Sequence, residues 1–137
     1  MSAHQSNAGS PVILLIDAHL TDREYYTYRL RMSLPECVVV HAVTGRSALA
    51  VCKSQPIDCV VLELDLPDMS GFEVLLNLVP RAQYPEIPVI VLTRLSNHYL
   101  LEAATKNGAL AALHKPCLQG TFSIKPFTRR WRLRAGN

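Results

Sequence analysis

Five short apolar runs recur along the chain, and a segment with helical character separates each run from the next. The runs cover residues 12–16, 37–41, 57–62, 88–92 and 109–113. They are mostly continuous rather than alternating, as expected of strands that are covered on both faces. Each connection is long enough for a right-handed crossover helix, so the pattern predicts a parallel sheet with helices on both sides.

Turn and capping residues predict where the helices begin and end. The spacing Thr21-x-x-Glu24 predicts a capping box at the start of the first helix, which should run to about Ser33. The other predicted boundaries are a cap at Thr44, a turn at Gly71, a stop at Pro80, a cap at Asn97 and a stop at Asn107-Gly108. Propensity alone leaves residues 109–113 open between helix and strand, and their position after Gly108 favours a strand.

Composition indicates one globular domain. The 137 residues are 49% apolar and 18% charged. No apolar run approaches the ~20 residues that a membrane span needs. The polar segment before Val12 lacks the basic residues of a signal peptide. The four cysteines form no C-x-x-C pair, which favours reduced thiols in the cytoplasm over disulfides or a metal site.

The positive charge of the chain is a property of its end. Residues 1–116 hold nine basic and eleven acidic residues, whereas residues 117–137 hold five basic and no acidic residues. We predict a flexible leader at 1–10, a domain at 11–117 and a basic arm at 118–137, where Gly120 and Pro126 interrupt the fifth helix. The body is not basic enough to suggest nucleic-acid binding. The arm is either a solvated end, a protein-docking segment or a contact for an anionic partner.

The third apolar run ends in acidic residues. Glu63 and Asp65 follow it directly, and the segment 66–71 (Leu-Pro-Asp-Met-Ser-Gly) then forms a predicted turn. In open α/β sheets, ligands bind at the carboxyl ends of the strands. Asp17 ends the first run and Thr93 ends the fourth, so these side chains are candidate site residues.

These pieces, with Gly108-Ala109 and Lys115-Pro116, resemble receiver domains of bacterial two-component response regulators. The resemblance covers about residues 11–117. It implies a flavodoxin-like, doubly wound sheet of five parallel strands in the order 2-1-3-4-5, with an irregular fifth helix here. It also implies a cytoplasmic, non-enzymatic signalling module. Its partners would be a histidine kinase or a downstream protein, with a possible homodimer through the fourth helix, fifth strand and fifth helix.

The resemblance further implies phosphoryl transfer to an Asp at the end of the third strand, with Mg²⁺ bridging the acidic groups. Glu63 stands at that acceptor position, and Ala18 replaces one of two adjacent carboxylates, which leaves Asp17. The phosphoryl-binding Thr93 and Lys115 are kept, and Ala112 stands where a switching aromatic is usual. The weakly implied metal ligands are Asp17, Glu63 and Asp65.

The substitution at the acceptor position suggests a pseudo-receiver. A Glu reaches about 1.3–1.5 Å further than an Asp, so Lys115 and Thr93 could bind its carboxylate directly. Phosphotransfer would then be weak or lost, and Mg²⁺ binding weak or absent. Glu63 could instead form a structural ion pair without signalling meaning. The residues also leave open an ordinary phospho-accepting receiver and, less favoured, an aspartyl-phosphate-type hydrolase.

Overall fold

The computed structural model describes residues 9–79, 87–118 and 122–128, without the side chains of residues 117 and 118. The predicted strands and helices alternate as expected. The elements are β1 (Val12–Ile16), α1 (Leu20–Ser33), β2 (Val38–Ala42), α2 (Gly45–Ser54), β3 (Cys59–Leu62), α3 (Gly71–Leu78), β4 (Val89–Thr93), α4 (His98–Lys106), β5 (Ala111–His114) and α5 (Lys115–Leu118). Most of the predicted leader, the stop at Pro80 and most of the basic arm lie outside these ranges.

The five strands form one parallel sheet in the order β2-β1-β3-β4-β5, which confirms the predicted fold. The register aligns the strand ends, because Ile16 pairs with Leu62, and Leu62 pairs with Val91. Thr93, the last residue of β4, pairs with His114, the last residue of β5. The residues that follow these strands therefore meet at one edge of the sheet.

Alternation along the buried strands divides the core between the two faces of the sheet. On one face, Leu14, Val60 and Val91 pack with residues of α2, α3 and α4. On the other face, the core contains α1 and the described part of the chain after residue 121. Within the described ranges, no helix is both long and apolar enough to cross a bilayer.

The capping prediction for the first helix is wrong. Helix α1 begins at Leu20, its N-cap is His19, and His19 makes no side-chain capping bond. The Asp17 carboxylate instead accepts a hydrogen bond from the His19 backbone N–H at 2.9 Å, which tightens the loop and starts the helix earlier. Thr21 therefore lies inside the first turn. The caps predicted at Thr44 and Asn97 are confirmed.

The chain after β4 bears out the strand assignment, while much of the segment of the predicted irregular fifth helix lies outside the described residues. Gly108 has a φ of 109° and ends the turn after α4, so the next segment forms β5. Helix α5 covers Lys115–Leu118, and residues 125–128 are also helical. Phe122 and Ile124 are buried on the face that carries α1, where the Arg29 guanidinium donates to the Phe122 carbonyl at 2.9 Å.

Gly71 is required where the turn after β3 meets the strand end. A Cβ at this position would lie 2.5 Å from Leu64 Cα and 2.8 Å from the Glu63 carbonyl oxygen. We expect Gly71→Ala to lower the free energy of unfolding by about 1–3 kcal/mol, because backbone atoms must move. Urea unfolding measures this loss. Gly9→Ala is the control, because nothing lies within 4 Å of its Cβ; equal stability of both variants would contradict the prediction.

Candidate functional site

Four of the candidate side chains meet at the carboxyl edge of the sheet. Asp17 follows β1, Glu63 follows β3, Thr93 ends β4 and Lys115 follows β5. All four are buried, with exposed fractions between 0% and 8%. Burial of three ionisable groups is costly unless each is paired, so their contacts define what the site can do.

Both oxygens of the Glu63 carboxylate accept hydrogen bonds from donors of the protein itself. One oxygen accepts from the Lys115 ammonium at 3.0 Å and from the Arg94 backbone N–H at 3.1 Å. The other accepts from the Asp65 backbone N–H at 3.0 Å and from the Thr93 hydroxyl. The contacts from Lys115 and Thr93 that the sequence suggested are thus present. Burial raises the pKa of Glu63, but these donors together hold the pKa below its ordinary value.

Lys115 joins three carboxylates. Its ammonium lies 2.5 Å from an oxygen of Asp17, 2.8 Å from one of Asp22 and 3.0 Å from one of Glu63. An ammonium has three N–H donors, so all of them can be used. Burial lowers the pKa of Lys115, but hydrogen bonds to Asp17 and Asp22 and the charge of Glu63 raise it above the ordinary value. The lysine is therefore a cation at the centre of an acidic cluster.

Asp22 and Arg94 complete this cluster, and neither was a candidate from the sequence. The Arg94 guanidinium binds both Asp22 oxygens, through Nε at 2.9 Å and Nη2 at 3.1 Å. The hydrogen bond from Arg94 and the nearby Lys115 lower the pKa of Asp22 to about 2, against the effect of burial. The pair links α1 to the loop after β4. Two sequence signals could have suggested it: Asp22 lies on the first turn of α1, and Arg94 directly follows Thr93.

Asp17 is bound through both its side chain and its backbone. One carboxylate oxygen accepts from the His19 N–H and lies 3.2 Å from His19 Nδ1, while the other contacts Lys115. The Arg23 guanidinium donates to the Asp17 backbone carbonyl at 2.9 Å. These contacts fix the only carboxylate left of the implied acidic pair.

Three of the candidate residues lie apart from this cluster. The Asp65 side chain is exposed at the rim, and only its backbone N–H takes part. Ala112 pairs with Val91 within the sheet and is half-buried. Ala18 contributes no ligand. The structure therefore brings Asp22, rather than Asp65, to Asp17 and Glu63.

The acidic cluster can be tested for its fit to Mg²⁺, which receiver domains bind at an acidic pocket. Among the described residues, Asp17, His19 and Asp22 offer ligand atoms that lie within 4.8 Å of one another. Mg²⁺ needs several oxygen ligands in octahedral order. Yet each oxygen of the Asp17, Asp22 and Glu63 carboxylates already accepts a hydrogen bond from the protein. In this arrangement the residues do not fit the ion.

A cleft of about 460 Å³ opens beside the cluster. Its lining includes Asp22, Arg94 and Lys115, with Tyr25 and Tyr26 on the side of α1. The Lys115 ammonium lies 5.7 Å above the centre of the Tyr26 ring. A small ligand that reached the cluster through this cleft would meet the Asp22–Arg94 pair first.

A substitution of Thr93 tests how strongly the buried Glu63 carboxylate depends on its hydrogen-bond donors. We expect Thr93→Val to lower the free energy of unfolding by about 1–3 kcal/mol, because a buried carboxylate oxygen loses its hydroxyl donor. The hydroxyl also accepts from the Leu95 N–H at 3.1 Å. Urea unfolding measures the change. Thr93→Ser is the control that keeps the hydroxyl, and a Ser variant as unstable as the Val variant would contradict this explanation.

Comparison with known families places most of the chain in one group. The family described as "Response regulator receiver domain" matches residues 13–123. Among solved structures, the signal receiver domain of a DNA-binding response regulator from Colwellia psychrerythraea superposes with a TM-score of 0.76 at 22% identity. That match covers 88% of this chain and 99% of the other, and at this identity it supports the fold alone.

Curated relatives give the same assignment. The two-component response regulator ORR5 of rice (Oryza sativa subsp. japonica) is 27% identical over 109 residues, which are 79% of this chain and 80% of the relative. The probable transcriptional regulatory protein TcrX of Mycobacterium tuberculosis is 38% identical over 86 residues, which are 62% of this chain and 35% of the relative. The chain spans between 16% and 35% of the length of the first four curated relatives that it matches.

Proposed function

Because the chain belongs to the response regulator receiver domain family, we propose that it is a pseudo-receiver that signals through protein contacts with little or no phosphotransfer. Receiver domains are generally non-enzymatic signalling modules that interact with kinases or downstream proteins. In this proposal the conformation of the pocket is set by Glu63 rather than by a phosphoryl group.

The proposal rests on one observation, which is that the Glu63 carboxylate already accepts hydrogen bonds from the protein. Thr93 and Lys115, which would bind phosphoryl oxygens in the family, are hydrogen-bonded to Glu63 itself. Phosphoryl transfer depends on positioning and on charge neutralisation rather than on covalent help. Here the positive charge and the hydroxyl are already used by the carboxylate. An incoming phosphoryl group would have to break these buried contacts before it met any stabilising group.

Ala18 supports the same conclusion. The implied acidic pair would contribute two adjacent carboxylates, and only Asp17 remains. Its oxygens are bound by Lys115 and His19. Without a metal to neutralise the phosphoryl oxygens, the transition state for transfer loses its main electrostatic support. The proposed set of roles is therefore Glu63 as a fixed anion, with Thr93 and Lys115 as its partners.

Partners and location belong to the same proposal. We assign the signalling contact to a histidine kinase or downstream protein, or to a second copy, on the face formed by α4, β5 and the segment that follows. Light scattering of the purified chain tests the homodimer. The free Cys37 and Cys52 thiols suit a reducing cytoplasm. The activity of a longer protein that contained this domain would be set by its other parts.

The experiment is phosphorylation with acetyl phosphate in the presence of Mg²⁺, read by intact mass. We expect the wild-type chain to remain unmodified under conditions that fully label an ordinary receiver run alongside. Stoichiometric addition of one phosphoryl group to the wild type would refute the proposal.

A further inference from the structure

We infer that Lys115, held by Asp17, Asp22 and Glu63, fills the place of the divalent cation in this pocket and makes the domain independent of metal. The inference deepens the proposed function and rests on it, because a pocket without metal suits a receiver without phosphotransfer. It also assigns Asp22 a role: from helix α1 it supplies a second carboxylate near Asp17, where position 18 is Ala.

The contacts of the ammonium support this assignment. One atom, Lys115 Nζ, bridges carboxylates that follow β1 and β3 and a third from α1, at 2.5–3.0 Å. A cation that joins carboxylates from separate elements is what a bound divalent ion would provide. The ammonium is covalently attached and 8% of the residue is exposed. The cation therefore cannot dissociate from the folded chain as a bound ion can.

Charge balance points the same way. The three carboxylates of Asp17, Asp22 and Glu63 are contacted directly by two cationic side chains, Lys115 and Arg94. Arg23 adds a third positive charge beside the Asp17 carbonyl. The cluster is thus close to neutral with its own side chains. A divalent ion would find little net negative charge to attract it.

Steric occupancy adds to the charge argument. An incoming ion must compete with the donors of the protein, because every carboxylate oxygen of the cluster already accepts at least one hydrogen bond. Displacing the ammonium would leave a cation near the face of the Tyr26 ring, at a residue that is only 8% exposed, without its carboxylate partners. An ion held by Asp17, His19 and Asp22 would compete with the His19 N–H and the Arg94 guanidinium for carboxylate oxygens, and it would lie beside the charge of Lys115.

Removing the lysine should therefore create a metal site. Lys115→Met leaves three carboxylates facing one another, with Arg94 as the remaining side-chain cation in contact with them. We expect the variant to bind Mn²⁺ at least about tenfold more tightly than the wild type, since the carboxylates then lack their central cation. Loss of the free-ion Mn²⁺ signal in electron paramagnetic resonance gives the affinity, and Mg²⁺ should raise the melting temperature of the variant alone.

Two controls make the test specific. Lys53→Met removes an exposed lysine from α2, so it changes the net charge equally and should behave like the wild type. The double variant K115M/D17N lacks the buried charge of Asp17 and should lose the new affinity. If K115M is unfolded in buffer, folding on addition of Mg²⁺ or Mn²⁺ also supports the inference.

Two results would overturn it. Tight Mn²⁺ binding by the wild type would show that the cluster admits an ion despite Lys115, and a folded K115M that binds neither metal would show that the cluster is no cation site. If K115M is unfolded both with and without metal, the Mn²⁺ titration of the wild type alone tests the inference. The wild type could bind metal and still resist acetyl phosphate, so this failure is distinguishable from failure of the proposed function.

Discussion

Replacing Lys115 with methionine lowers the free energy of unfolding by about 3–5 kcal/mol in the absence of metal, the range expected when one partner of a buried ion pair is removed. Methionine keeps most of the apolar stem but provides no cation. Glu63 and Asp17 are 1% and 2% exposed, so their carboxylates are poorly solvated once the ammonium is lost. Urea unfolding at neutral pH measures the loss.

A double-mutant cycle separates the ion pair from side-chain packing. Glu63→Gln removes the buried charge at the other partner, and K115M/E63Q removes both. We expect the double variant to be more stable than K115M, with a coupling energy of about 1–3 kcal/mol. If K115M and K115M/E63Q were equally unstable, packing of the lysine stem rather than its charge would explain the loss.

The pKa shifts predict how the wild-type stability depends on pH. The pKa of Glu63 lies below 4.5 and that of Asp22 falls from 3.8 to about 2, so their contribution is present above these ordinary values and is lost as pH falls through the lowered ones. The pKa of Lys115 lies above 10.5, so its contribution is lost only as pH rises beyond that value. The contribution of these three groups to stability should therefore be constant between about pH 5 and pH 10.

The K115M variant should respond differently to acid. Glu63 then carries a buried charge without its cation, and protonation removes that charge. The stability difference between wild type and K115M should narrow as pH falls from neutrality toward about pH 4. Urea midpoints of both proteins across this range check the expectation. A constant difference would mean that the lysine acts through packing.

The second large effect is a gain of phosphorylation in Ala18→Asp/Glu63→Asp. The shorter carboxylate withdraws from Thr93 and Lys115 by about 1.3–1.5 Å, which frees both groups for a phosphoryl oxygen. The new Asp at position 18 restores the adjacent acidic pair that Mg²⁺ needs. We expect labelling by acetyl phosphate at least about a hundredfold faster than in the wild type, because displacement by an ångström costs that much.

Each single variant serves as a control for this gain. Glu63→Asp restores the acceptor without the second acidic ligand, so it should label more slowly than the double variant. Ala18→Asp leaves the occupied Glu63 carboxylate in place and should stay unlabelled. Labelling must also depend on Mg²⁺. Labelling of A18D as fast as the double variant would show that Glu63 does not block transfer.

The sequence predicted the fold well because its signals are local. Five apolar runs fixed the strands, and the Asn107-Gly108 stop resolved the ambiguity of residues 109–113 in favour of a strand. The start of α1 was mispredicted because the capping-box spacing at Thr21 competes with a second local signal, a hydrogen bond within the loop after β1. The Asp17 carboxylate holds the His19 N–H and begins the helix at Leu20.

The candidate site was partly predictable for the same reason. The resemblance to receiver domains, which puts the acceptor at Glu63, identified which carboxylate faces inward, and the exposed Asp65 agrees with that choice. Asp22 and Arg94 were missed because their contact spans 72 residues and depends on how α1 packs beside the loop after β4. No local pattern encodes such a pair, although each residue lies next to a predicted site element.

Tyr26 connects the acidic cluster to the far end of the described chain. One side of its ring faces the Lys115 ammonium, and the ring packs edge-on against Phe122 at 5.7 Å between centroids. The ring current of Tyr26 therefore affects the chemical shifts of the protons near Lys115 Nζ and of the Phe122 ring protons. In nuclear magnetic resonance spectra, a reorientation of the Tyr26 ring should therefore shift resonances both near Lys115 and in Phe122.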